Sequence, residues 1–166
     1  MGTGAGALVK GVDPLAVVRR WEASQGRRLV DPSLAGWDDL DSEALVMARD
    51  SWGVSLPGGT QFWRRRRYLS FSASGAPQRL VEVQLACGDH PVVQARHRDL
   101  AVARALGNRY WIYVLDPAAD GQAQLWTVQD PARCPWQLAK AVDPHEGLWV
   151  LPLRQVSAAS VLLAAA

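Results

Sequence analysis

Residues 79–117, RLVEVQLACGDHPVVQARHRDLAVARALGNRYWIYVLDP, constrain the fold more than any other part of the chain, because they read as buried strand, loop, helix and buried strand. Two strands of one sheet joined by a helical crossover run parallel, so this segment predicts an α/β domain. Side chains in a strand alternate between faces, and the first strand therefore sets Glu82 and Gln84 on one face and Val81, Val83 and Leu85 on the other. An unpaired buried carboxylate is costly, so a carboxylate kept in such a strand calls for a metal, a cation or a solvent-filled cleft. An edge strand with one wet face gives the same alternation without any site.

The rest of the chain extends this frame. Asp13-Pro14 predicts the start of a helix running to about Gln25, with Leu15, Val18 and Trp21 on one stripe and Gly26 as its stop. Glu22 follows Val18 at helical spacing and lies beside that stripe. Asp41-Ser42 predicts a second helix to about Trp52, with Ala44, Leu45, Ala48 and Trp52 inward, and Leu56-Pro57-Gly58-Gly59 breaks it. Residues 68–71, the turn at Ser74-Gly75 and residues 79–85 predict an antiparallel hairpin. A helix is expected over residues 91–106, with Val92, Ala95, Leu100, Ala103 and Leu106 on its apolar face and Gln94, His97 and Arg98 at the margins. Residues 110–115 then return parallel to the Glu82 strand, and residues 124–129 fold back through Asp120-Gly121. The expected fold is α/β, a mixed central sheet flanked by helices.

At 166 residues the chain suits one domain, taken as residues 13–155 after a flexible lead of residues 1–12, with residues 156–166 as a tail or short helix. The lead lacks a charged segment followed by an apolar one, so it does not read as a signal peptide. No apolar run reaches membrane-spanning length, and an apolar fraction of 49% with 20% charged residues is that of a folded domain. Cys87 and Cys134 are too few for a disulfide framework or a cysteine zinc site, which points to a reducing, cytoplasmic location. His90 and His97 do not have the spacing of a metal pair, and His145 stands alone. Trp21, Trp111 and Trp126 read as core, leaving Trp37, Trp52, Trp63, Trp136 and Trp149 for surfaces and partners.

Glu82-Val83-Gln84, the loop at Gly88, the following helix and Gly107-Asn108-Arg109-Tyr110-Trp111-Ile112-Tyr113 together resemble the DUF3883 family, the NO VEIN C-terminal domain. That family is a branch of the PD-(D/E)xK nuclease-like superfamily, and its signature is Glu-Val-Lys, a glycine loop, a helix and Gly-x-Arg-Tyr-Trp-x-Tyr. Val17-Val18-Arg19-Arg20-Trp21-Glu22 with Gln25-Gly26-Arg27-Arg28, and Leu125 to Pro131, are similar to its first helix and closing strand. The likeness covers roughly residues 15–137, with a divergent segment at about residues 32–66. The motif lysine is Gln84 here, and the upstream acidic strand falls either on Gly36-Trp37-Asp38-Asp39-Leu40 or on Arg67 to Phe71, which has no acid.

The resemblance implies a restriction-endonuclease-like fold and a Mg²⁺- or Mn²⁺-dependent DNA nuclease. In that reading Glu82, Glu22 and Asp38 hold the metal, and Gln84 orients the attacking water. Such hydrolysis needs acidic oxygens around the cation, which polarises the phosphate and lowers the pKa of water. Of 18 basic residues only Lys10 and Lys140 are lysines, and Arg64, Arg65, Arg66 and Arg67 form a run after Phe62-Trp63. Arginine forks suit phosphate, so these four, with Gln94 and Arg98, are the candidate nucleic-acid contacts. DNA is preferred to RNA as the partner, beside a protein partner or a second copy. The alternative expectation is a catalytically inactive module on the same fold, binding nucleic acid or protein.

Overall fold

A computed structural model of the protein describes residues 13–35, 41–86, 88, 90–117, 122–140, 147–156 and 161–164. The fold is mixed α/β, two sheets flanked by helices. Among the described residues the main sheet has six strands in the order β1-β2-β3-β5-β6-β9: β1 Arg27–Val30, β2 Arg67–Ser72, β3 Pro77–Leu85, β5 Tyr110–Pro117, β6 Gln122–Gln129 and β9 Val161–Ala164. A smaller sheet is ordered β4-β8-β7, from β4 Val92–Arg96, β8 Leu148–Pro152 and β7 Gln137–Lys140.

Helix α1, Pro14–Ser24, forms where expected: the Asp13 carboxylate caps it by accepting from Leu15 N–H, and Gly26 leaves it at φ +71°, a conformation that costs other residues strain. Helix α2, Ser42–Trp52, starts on the Asp41 carboxylate, which accepts from Ala44 N–H, and ends at Gly53 in the left-handed region. Its inner residues are those expected, with Ala44, Leu45, Ala48 and Trp52 all buried. A short α3, Thr60–Trp63, leads into a tight turn of residues 64–66 and then β2.

The hairpin β2–β3 is antiparallel, with Arg67 opposite Glu82 and Leu69 opposite Leu80, and β5 is parallel to β3, with Ile112 opposite Glu82. The alternation of β3 separates two apolar clusters. Val81 and Val83 pack with Val18, Tyr68, Tyr113, Leu115 and Leu125 under α1. Leu80 packs with Leu69, Ile112, Val114 and residues of α2 and helix α4, His97–Leu106, on the other side.

Three expectations change. Residues 91–106 are not one helix: residues 92–96 form β4, paired antiparallel with β8, and α4 begins only at His97. The β-branched Val92-Val93 and the in–out alternation of Val93, Gln94, Ala95 and Arg96 favour a strand, and Asp99 starts the helix by accepting from Arg96 N–H. The C-terminal segment supplies β9 on the edge of β6, where a tail or short helix was expected. Trp63 is core rather than surface, and so is Trp52, whose inward place on α2 prevails over its count among the surface tryptophans; each indole N–H is satisfied by a backbone carbonyl, of Pro57 and Pro77 respectively. Trp37, Asp120-Gly121, His145 and Cys87 lie outside the described residues. Among the described residues no helix is long and apolar enough to cross a membrane.

Candidate nucleic-acid cleft

Glu82 is buried on the α4 side of β3, and its neighbours are fixed by sheet register. The cross-strand position on β2 puts Arg67 against it, donating from Nε at 3.1 Å and Nη2 at 3.0 Å to Oε2. Tyr110, at the start of β5, donates its hydroxyl to the same oxygen at 2.6 Å. Two residues along β3, Gln84 Nε2 donates to Glu82 Oε1 at 2.7 Å. Arg67 Nη2 also meets Asp99 Oδ1 of α4 at 3.0 Å, Nη1 donates to Phe62 O at 3.0 Å, and the guanidinium lies 4.2 Å from the centroid of the Phe62 ring.

Arg67 is only 2% exposed, so one guanidinium is shared by two carboxylates inside the protein. Burial opposes its charge, yet Glu82 and Asp99 outweigh burial and raise the pKa of Arg67 above its ordinary value. Burial and then the Glu82 charge raise Tyr110 well above the usual phenol range, keeping it a neutral donor. The pair is thus held by geometry and by further hydrogen bonds, the condition under which a buried ion pair offsets its desolvation cost.

A cleft of about 510 Å³ opens beside this centre, between β3 and β4, lined among others by Arg65, Glu82, Gln84, Gln94, Arg96 and Asp99. Gln84 is consumed in building its wall: Nε2 donates to Gln94 O at 2.6 Å while Oε1 accepts from Gln94 N–H at 3.0 Å. The side-chain amide therefore pairs with the β4 backbone as another strand would, and ties the small sheet to the large one.

Glu22 stands elsewhere. It is fully buried under α1, on the opposite face of the sheet, where Arg27 Nε and Nη2 bind its two oxygens at 2.8 and 3.0 Å. The Ser70 hydroxyl donates to Oε2 and the Tyr113 hydroxyl to Oε1, the latter at 2.5 Å. Burial pushes Glu22 upward, but these hydrogen bonds and the Arg27 charge prevail and hold its carboxyl below the usual range. Arg79 completes the cluster, donating to Tyr113 Oη at 2.9 Å with its guanidinium 4.1 Å from the Trp111 ring centroid. Ser70 and Tyr113 pair with Arg79 and Val83 across the sheet, so the whole cluster shares the face that Glu82 does not.

These positions test the donor set for Mg²⁺ or Mn²⁺. Each oxygen of Glu82 and Asp99 already accepts a hydrogen bond or meets the Arg67 guanidinium, and a divalent cation on Glu82 would stand beside that buried positive charge. Glu22 is not brought to Glu82, and Asp38 and Asp39 lie outside the described residues. Among the described residues no group of three or more His, Cys, Asp or Glu side chains is placed to hold a metal. The acids here fit a guanidinium and not a magnesium ion. Gln84, with its amide oxygen and nitrogen both engaged, is not free to orient a water.

The arginine run is divided by the turn. Arg67 enters the core, Arg65 lines the cleft, and Arg64 and Arg66 are exposed. Arg66 adopts φ +55°, and its carbonyl accepts from Val83 N–H, closing the turn against β3. Gln94 is on β4 and Arg98 in the first turn of α4, both exposed. Asp99, beside Arg98, is buried. Arg96, Asp99 and Tyr110 were missed as members of the site. The signal for Tyr110 was present, since it lies in phase with Leu80 and Ile112 on the α4 side; Arg96 needed β4 to be recognised as a strand.

No family model, no curated protein and no solved structure matches the chain.

Proposed function

We propose that this protein is a nucleic-acid-binding module built like a PD-(D/E)xK nuclease, in which the former catalytic cleft binds phosphate without cutting it. The observation that carries this reading is Arg67, buried between Glu82 and Asp99 where a nuclease of this type needs carboxylate oxygens open to a metal. The order of the elements supports the kinship: first helix, antiparallel hairpin carrying Glu82-Val83-Gln84, a helix across, and a parallel strand carrying Arg109-Tyr110-Trp111-Ile112-Tyr113. The charge supports the ligand. Arg65 and Arg96 line the cleft, and among the described residues neither they nor Arg98 meets a carboxylate within salt-bridge distance. Arginine forks left over in a cleft match phosphate oxygens in pairs.

Fluorescence anisotropy with labelled single- and double-stranded DNA and RNA tests the reading, in EDTA and again with Mg²⁺ or Mn²⁺, beside a plasmid-nicking assay. Binding should not require metal, should weaken steeply with salt as counterions are released, and should fall in Arg65→Ala. No nicking is expected with either metal, from the wild type or from Gln84→Lys, which restores the motif lysine. Metal-dependent nicking that disappears in Glu82→Ala would instead establish a nuclease.

A further inference from the structure

The cleft's size and charge say what part of a nucleic acid it takes. Its 510 Å³ is the volume of a small-molecule pocket, about 300–1,000 Å³. Such a space holds one phosphate with its sugar, and a duplex laid along the surface would not fill it. The β4 strand and Leu148 of β8 line one side, and the Gln84–Gln94 pairing fixes that wall to β3. Arg65, Arg67 and Arg96 line the cleft, with Glu82 and Asp99 as its acids. Arg98 stands beyond Arg65, around a smaller cavity of about 90 Å³ that both share with Asp99.

Charge counting then distinguishes the ligand. Arg67 is committed to the two carboxylates; the three arginines that line the cleft leave a surplus of one positive charge over them, and Arg98, around the adjoining cavity, brings the surplus to two. An internal phosphodiester brings one negative charge, whereas a phosphomonoester brings close to two at neutral pH. We propose that the cleft is a metal-independent subsite for a phosphomonoester dianion, as carried by the terminal phosphate of a nucleic-acid strand or by a free nucleotide, gripped between Arg65 and Arg96. The inference rests on the nucleic-acid reading for the strand that carries the phosphate, and on the cleft alone for the phosphate itself.

The test compares one short single-stranded oligonucleotide bearing a 5′-phosphate, a 3′-phosphate or only hydroxyl ends, with the fluorophore at the other end, in EDTA. Adenosine 5′-monophosphate and adenosine serve as the free-nucleotide pair, followed by calorimetry. An oligonucleotide with a phosphate at one end should bind about tenfold or more tighter than the hydroxyl-ended strand, the worth of a charge-assisted fork. Arg65→Ala and Arg96→Ala should each remove most of that ratio, while Arg104→Ala, on the exposed last turn of α4, should keep it. Thermal melting of each variant shows that the fold is intact. Equal binding of all three strands overturns the subsite and leaves the nucleic-acid reading standing. Binding of the monophosphate but of no strand sustains the subsite and overturns the nucleic-acid reading. A preference that survives in the Arg65→Ala/Arg96→Ala double variant, or no binding of any phosphate-bearing probe, overturns the inference.

Discussion

At the scale of single residues, Arg67 decides what Glu82 is. A carboxylate in that position with open oxygens is a metal ligand; with a guanidinium across the strand and a tyrosine hydroxyl behind it, it becomes the anionic half of a buried structural pair. Removing the shared cation alone is therefore more damaging than removing all three charges. Arg67→Met leaves Glu82 and Asp99 buried without their cation and should lower the unfolding free energy by roughly 3–5 kcal/mol. The triple variant Arg67→Met/Glu82→Gln/Asp99→Asn removes the three charges together and should be less destabilised than Arg67→Met, as urea unfolding of the wild type and both variants would measure. A triple variant less stable than Arg67→Met would contradict the ion-pair account. The strand that keeps Glu82 and Gln84 together was legible from alternation alone. Their partner was not, because finding Arg67 requires the hairpin register, and a shift by one residue would have turned Tyr68 to Glu82 instead.

At the scale of elements, the cleft exists because a strand stands where a helix was expected. The apolar residues Val92, Ala95, Leu100, Ala103 and Leu106 satisfy a helical spacing, and that spacing hid the period-two run at its start. The helices α1 and α2, the hairpin and the parallel β5 were all readable, since each is set by local caps and turns or by an apolar run. The small sheet was not, because β4 finds its partner β8 more than fifty residues later in the chain. Gln84 is the bolt between the two sheets. Gln84→Ala leaves Gln94 N–H without its acceptor and should raise its hydrogen-exchange rate about tenfold, while amides of the central β5, such as Ile112, keep their protection. Loss of protection spread evenly over both sheets would show instead that Gln84 supports global stability. The same variant should widen the wall of the cleft, so weaker nucleic-acid binding is expected to accompany the local opening.

At the scale of the whole molecule, two buried polar centres lie back to back across one sheet, and the Glu82 centre faces a cleft. The Glu82 centre opens toward the cleft, whereas the Glu22 centre binds α1 and β1 to the sheet through Arg27, Ser70 and Tyr113. This makes the Glu22 centre a reporter of the fold's pH limits. Glu22 has its pKa lowered on folding, so its contribution is present above the ordinary carboxylate range and is lost as pH falls through the lowered value. Tyr113 behaves in the opposite sense. Burial first, then the Glu22 charge and their hydrogen bond, push its hydroxyl up to about 12 from 10.0, so the folded state holds its proton longer than the unfolded chain does. Its contribution is complete below pH 10 and is lost as pH rises toward 12, on the order of 2 kcal/mol in all. Tyr68, Tyr110 and Cys134 are raised as well, so the alkaline loss in the wild type has sources besides Tyr113. Tyr113→Phe should be less stable than the wild type at neutral pH, because Glu22 loses a donor, yet should lose less stability on going from pH 10 to pH 12. Urea midpoints measured across that range for both proteins decide it: parallel curves would mean that Tyr113 does not hold its proton for Glu22, and converging curves that the α1 face is locked through this hydroxyl.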